Sequence, residues 1–121
     1  MVILVVEDNL DIQKMLNRKL KKQNWEVHLA NDGKEGMEKA LEINPDLILM
    51  DMHMPRMDGH EATRTLRAKG YTGKIAALTA SVMNLDAESA IKDGCNVLIP
   101  KPIDKDFINR IKEITGLDND K

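Results

Sequence analysis

The chain begins with an unbroken apolar run, Val2-Ile3-Leu4-Val5-Val6, the pattern of a strand covered on both faces. Asn9 offers a side-chain cap for a helix with Ile12, Met15, Leu16 and Leu20 on one side and Lys14, Arg18, Lys21 and Lys22 elsewhere. Trp25-Glu26-Val27-His28-Leu29 alternates, which predicts a half-exposed strand at a sheet edge. Asp32-Gly33 punctuates the chain, and Met37, Ala40 and Leu41 mark a second helix ending before Asn44-Pro45. Leu47-Ile48-Leu49-Met50 is again wholly apolar and predicts strand three. After a loop from Pro55 to Gly59, Ala62 and Leu66 space a third helix that stops at Gly70. Ile75-Ala76-Ala77-Leu78 predicts strand four, and Leu85, Ala87, Ala90 and Ile91 a fourth helix ending at Gly94. Val97-Leu98-Ile99 predicts a short fifth strand; Phe107, Ile108, Ile111 and Ile114 then line a last helix closed by Gly116.

Strand and helix alternate five times, with no Pro/Ser-rich linker and no repeat of solenoid period. That alternation predicts an α/β fold: a doubly wound five-stranded parallel sheet with helices on both faces and right-handed crossovers. Strand two alternates like an edge while strands one, three and four are wholly apolar, so the expected order is 2-1-3-4-5. Residues 1–116 form the expected domain, and residues 117–121 a short polar tail.

Composition narrows the picture. A length of 121 residues suits one domain. Eighteen basic against twenty acidic side chains give a net charge of −2, without the strongly basic face of a stand-alone nucleic-acid binder. Trp25, Tyr71 and Phe107 are the only aromatics, too few for a base-stacking platform, and eight methionines help fill the interior instead. The single Cys95 excludes an internal disulfide and a cysteine-based zinc site, and reads as a small buried apolar residue. No apolar run approaches the length of a membrane span and no secretory leader precedes the first strand, so a cytoplasmic domain is expected.

Ligands of open parallel sheets bind outside the carboxyl ends of the strands, where strand order reverses. Glu7-Asp8 follows the first strand, Asp51 the third, Thr79 the fourth and Lys101 the fifth. Taken singly, each has an ordinary reading: Asp8 or Thr79 as a helix cap, Lys101 as solvated surface. Together they place three carboxylates, a hydroxyl and an ammonium around one switch point. Packing gives no reason for three like charges there, whose repulsion raises pKa values and destabilises the fold. A bound cation removes the conflict, and an all-oxygen site with few ligands suits Mg²⁺.

These residues resemble the receiver domains of bacterial-type two-component response regulators. The resemblance runs from Val2 to about Ile114 and rests on Val5-Val6-Glu7-Asp8-Asn9, on the segment from Met50-Asp51 to Asp58-Gly59, on Leu78-Thr79-Ala80 and on Lys101-Pro102. It implies a flavodoxin-like receiver fold in which Asp51 takes a phosphoryl group from a phosphohistidine on a histidine kinase or histidine phosphotransfer protein. It also implies Mg²⁺ (or Mn²⁺ in its place) held by Glu7, Asp8, Asp51 and the main-chain carbonyl of His53. Lys101 and Thr79 would contact phosphoryl oxygens, and the Lys101–Pro102 peptide would be cis. Thr79 would then act as a switch read by the face of helix four, strand five and helix five, which would engage a downstream protein. The family's aromatic switch partner, three residues before the lysine, is Leu98 here: an isobutyl group can fill a vacated pocket but lacks a ring and a polar tip. By the same resemblance the domain is a signalling phosphoacceptor and not an ordinary enzyme, although it would catalyse its own phosphorylation and dephosphorylation. No direct nucleic-acid or membrane contact is expected, and a monomer or a phosphorylation-dependent dimer is.

Other readings stay open at this level. A pseudo-receiver that binds partners without phosphorylation draws support from Leu98, and a metal-dependent aspartyl-phosphate phosphatase would carry an acid where His53 stands. Both a stand-alone regulator and a receiver of a hybrid histidine kinase fit the motifs, and the receiver's elements would use the whole chain, leaving none for an output domain. His53 and His60 read as partly exposed residues at the site rim, His53 there affecting how water reaches an acyl phosphate. Gly33-Lys34-Glu35-Gly36 and the segment from Gly70 to Lys74 match neither phosphate-binding glycine signature. The basic stretch from Arg18 to Lys22 suits a helix C-terminus, and Leu10 serves either kinase contact or packing at the helix start.

Overall fold

The computed structural model describes residues 1–54, 57–80 and 85–116, the side chains of residues 85 and 86 excepted. Five parallel strands, β1 (Val2–Val6), β2 (Glu26–Ala30), β3 (Leu47–Asp51), β4 (Lys74–Thr79) and β5 (Val97–Pro100), pair in the order 2-1-3-4-5. Between and after them lie α1 (Leu10–Lys21), α2 (Gly33–Ile43), α3 (Gly59–Ala68), α4 (Leu85–Asp93) and α5 (Phe107–Thr115). Both the α/β class and the strand order agree with the sequence pattern. The expected tail at 117–121 and part of the 55–59 loop lie outside the described residues.

Side chains alternate across the sheet and so divide the core in two. Ile3, Val5, Leu47, Leu49, Ala76 and Leu78 face α1 and α5, packing against Leu16, Leu20, Phe107 and Ile111. Leu4, Val6, Ile48, Met50, Ile75 and Ala77 face the opposite side, against Ala40 of α2, Ala62 and Leu66 of α3 and Ala90 of α4. The wholly apolar runs are thus those buried on both faces. Helix starts follow the capping residues: Asn9 accepts from Ile12 N–H at 3.0 Å, Asp32 from Glu35 N–H at 2.8 Å and Asp58 from Glu61 N–H at 2.9 Å.

Several boundaries differ from the pattern, for one reason. The predicted strands stop at the last apolar residue, whereas the ladder continues through polar and proline positions: Asp51 pairs with Leu78, and Thr79 with Pro100. At the other edge β2 begins at Glu26, and Trp25 packs half-buried against the α1–α5 side. Leu41 and Ile91, expected on helix core faces, are exposed because the smaller Ala40 and Ala90 beside them point inward. Leu10 is exposed as well, so it does not pack at the start of α1. Among the described residues, no helix is long and apolar enough to cross a membrane.

Helix α2 sits close to the chain entering α3. A Cβ on Gly33 would lie 1.8 Å from the Met57 carbonyl oxygen, and one on Gly36 would lie 2.6 Å from Val6 Cγ2. Gly33→Ala is therefore expected to lower the free energy of unfolding by about 1–3 kcal/mol through overpacking. The neighbouring Lys34→Ala, at an exposed position, should change it by no more than about 0.5 kcal/mol; urea denaturation of the two variants checks the difference.

Candidate functional site

Parallel pairing brings the carboxyl ends of β1 and β3 side by side, Val6 opposite Met50. The next residues along each strand are the acids. Carboxylate oxygens of Glu7, Asp8 and Asp51 all lie within 4.8 Å of one another. Glu7 and Asp51 are buried and Asp8 is exposed. The cap of α1 is Asn9, so capping does not explain Asp8. From the end of β5, Lys101 reaches into the same corner, its Nζ 3.2 Å from Glu7 Oε2 and 3.3 Å from Asp51 Oδ1. Its peptide bond to Pro102 is cis, and its own N–H donates to the Thr79 carbonyl at 2.8 Å. Thr79 is the buried last residue of β4, in register with Pro100 and six residues before the first residue of α4.

Two groups fix the Asp51 side of the site. The His53 N–H donates to Asp51 Oδ1 at 3.1 Å. Gly59 lies so close that a Cβ there would stand 2.2 Å from the Asp51 carbonyl oxygen, which lets the start of α3 close on the end of β3. Under the Glu7 side lies a residue that the sequence reading missed. Gln13 is buried, and its Nε2 donates to the Glu7 carbonyl at 3.0 Å and to Asn31 Oδ1 at 3.1 Å. The signal was available: Gln13 shares the inward face of α1 with Leu16 and Leu20, and a polar residue at such a position needs a buried partner.

Glu7 carries the electrostatic strain. Burial pushes its carboxyl from the ordinary 4.5 up to about 7, with Asp51 adding to the rise, while the Asn9 N–H and Lys101 oppose it. Its Oε1 accepts from Asn9 N–H at 3.1 Å. Its Oε2 is within ion-pair distance of Lys101 but buried without an aligned hydrogen bond. Among the described residues, one ammonium thus serves two buried carboxylates.

The remaining sequence candidates lie further out. Leu98 is half-buried and packs against the α2–α3–α4 side of the core. His53 is exposed near the site, and His60 beside it is partly buried, its ring also engaged with another helix. Its side chain is only 13% exposed, and its Nδ1 lies 2.6 Å from Asp93 Oδ2 of α4. The helical turn of α3 directs it sideways onto a neighbouring helix, which spacing within the sequence does not reveal. Cys95 is buried as expected, in contact with Thr63, and burial raises its thiol to about 11.

An acid cluster at the switch point of a 2-1-3-4-5 sheet defines the class: a doubly wound α/β domain with a site suited to a cation. The chain belongs to the response regulator receiver domain family, whose model matches residues 3–112. It is a receiver domain of two-component signalling. It is 33% identical over 109 residues to the regulatory protein AtoC of Escherichia coli, covering 90% of this chain and 24% of AtoC. It is 36% identical over 116 residues to the osmosensing histidine protein kinase SLN1 of Saccharomyces cerevisiae, covering 90% of this chain and 10% of the kinase. The chain spans about half or less of the length of these and other curated relatives, such as 45% of the response regulator MprA of Mycobacterium leprae.

Among solved structures, the receiver domain of sensor histidine kinase PA1611 from Pseudomonas aeruginosa superimposes with a TM-score of 0.87 at 34% identity, covering 95% of this chain and 97% of that one. That structure holds a magnesium ion in its active-site cleft. The receiver domain of the S. cerevisiae response regulator Ssk1, solved with the histidine phosphotransfer protein Ypd1, gives a TM-score of 0.88 at 29% identity, covering 98% and 90% of the two chains.

The raised pKa of Glu7 makes stability depend on pH. Between about 4.5 and about 7 the folded state holds a proton that the unfolded state has released, so this group's contribution to stability falls as pH rises through that window. Urea midpoints measured in EDTA from pH 5 to pH 7.5 should show the decline. In Glu7→Gln the same window should be flatter.

Proposed function

We propose that this receiver accepts a phosphoryl group on Asp51 from a phosphohistidine of a histidine kinase or histidine phosphotransfer protein. The observation that carries the reading is the corner itself: Asp51 at the end of β3, flanked by Glu7 and Asp8, with the Lys101 ammonium 3.3 Å from its Oδ1. The likeness to SLN1 and to the Ssk1 receiver solved with Ypd1 supports that class of donor.

The donor set fits a hard divalent cation. All three side chains offer oxygen, and Glu7 Oε2 is buried without an aligned hydrogen bond. Glu7, Asp8, Asp51 and the His53 carbonyl would hold Mg²⁺, or Mn²⁺ in its place. When bound, the ion supplies positive charge beside the three carboxylates and offsets the charge of the incoming phosphoryl group.

The chain's own groups do the rest. An Asp51 carboxylate oxygen attacks phosphorus, forming the P–O bond of an acyl phosphate as the P–N bond to the donor imidazole breaks. The bonding pair stays on that nitrogen, and no oxidant or reductant takes part. Gly59 and the His53 N–H hold the carboxylate in place, since transfer of this kind depends mainly on positioning and charge neutralisation. Lys101 turns from two carboxylates toward a phosphoryl oxygen, a role suited to a flexible point charge. Thr79 donates its hydroxyl to another, and the face of α4, β5 and α5, with Leu98 in place of an aromatic, carries the change to a downstream protein. The product is a signalling state and not a released metabolite; its decay by hydrolysis is the domain's only turnover.

Incubation with Mg²⁺ and acetyl phosphate should add one phosphoryl group by intact mass, removable with hydroxylamine. Asp51→Asn and EDTA should each abolish the adduct. No adduct with any donor would favour phosphorylation-independent binding, and steady phosphate release from diverse monoesters would favour a phosphatase. Lys101→Ala should retain the nucleophile yet slow adduct formation about a hundredfold, the usual loss on removing one charge-stabilising group; the time course of the same mass measurement checks it.

A further inference from the structure

His60 opens the first turn of α3, and Asp93 closes α4 thirty-three positions later. Their contact at 2.6 Å is nearly dry, the side chains being 13% and 9% exposed. An ionised carboxylate only accepts, so the proton between them belongs to His60 Nδ1. One turn further along α3, Arg64 Nη1 holds the other Asp93 oxygen at 3.1 Å. The opposite ring nitrogen, His60 Nε2, is buried without a hydrogen-bond partner. A leucine would fill comparable space without that penalty, and no step of the phosphoryl chemistry uses the ring.

The same ring reaches back toward the acceptor. It meets His53 edge-on, with centroids 6.3 Å apart, and the His53 N–H donates to Asp51 Oδ1 at 3.1 Å. Acyl phosphate formation neutralises the Asp51 carboxylate and so weakens a hydrogen bond that was charge-assisted. The His53 N–H would thus meet a different acceptor in the two states, which is the differential contact that any switch requires. On the α4 side of the sheet, strand β5 contributes the aliphatic Leu98.

We propose that His60 and Asp93 are positioning residues that couple the Asp51 loop to α4, so that the last turns of α4 respond to the acceptor through this pair. The inference rests on Asp51 being the acceptor, and its test separates the two. The probe is beryllofluoride with Mg²⁺ on the full chain, with fluorine NMR reporting the bound group and amide shifts of residues 87–91 reporting α4. His60→Leu removes both ring nitrogens, His60→Asn keeps a donor near Nδ1, and Asp93→Ala removes the acceptor.

Bound beryllofluoride should be seen in every variant. The α4 shift changes should fall at least twofold in His60→Leu and in Asp93→Ala, fall no further in the double variant, and return in His60→Asn. Should His60→Leu fail to fold by circular dichroism, Asp93→Ala carries the same comparison. A full α4 response in either single variant, additive losses in the double variant, or no rescue by asparagine would overturn the coupling. Absence of a bound fluorine signal in the unaltered chain would instead overturn the reading of Asp51, and the coupling with it.

Discussion

The structure is organised around an electrostatic conflict: three carboxylates meet in one corner, and two of them share the Lys101 ammonium. Hydrophobic burial along β1 and β3 drives both strands to the centre of the sheet, and parallel pairing then forces their carboxyl ends together. Glu7 and Asp51 are carried into the corner by the strands that precede them, with burial too deep for water to screen their repulsion. Lys101 approaches both, one ammonium between two buried carboxylates among the described residues. Glu7 absorbs the difference, held toward its neutral form by burial and by Asp51. A fold selected for stability alone would place apolar residues here. The three oxygen donors brought together there are of a kind that suits a cation.

Around that corner, the two faces of the sheet have separate tasks. On the α1–α5 side the packing is conventional, except that Gln13 spends a core position on the Glu7 carbonyl and Asn31. Across the sheet, small residues bring elements unusually close: Gly33 and Gly36 draw in α2, and Gly59 draws in α3 behind Asp51. This closeness sets the start of α3 directly against the end of β3. Further along the same side, Arg67 donates to the carbonyls of Tyr71, Gly73 and Gly94 and to Asn96 Oδ1, tying the chain after α3 to the chain after α4. Helix α4 is therefore anchored at its end by α3 residues, through Arg67 beyond the helix and through His60 and Arg64 on Asp93.

Local pattern carried the fold because its information is local. A wholly apolar pentapeptide has few stable placements other than a sheet centre, and Asn9, Asp32 and Asp58 cap helices through bonds spanning three residues. The misreadings share an opposite character. Leu41 and Ile91 look like core residues by hydrophobicity, yet the alanine beside each takes the buried position. Likewise, the partners of His60 and Gln13 come from other elements, Asp93 in the one case and Asn31 in the other. No periodicity within a single helix encodes such a pairing.

Element order, the central strands and the set of polar residues at the strand ends were legible in the chain, since each follows from the periodicity of burial or from connectivity. Motif order alone also pointed to the receiver family. How those polar residues meet came from the assembled fold: Lys101 bridges Glu7 and Asp51, Asp8 is exposed while Glu7 is not, and His60, beside His53, pairs with Asp93 of α4. The physical reason is range. Propensity and amphipathicity act over a few neighbouring residues, whereas charge separation, desolvation and close approach depend on distances that exist only once the sheet has assembled.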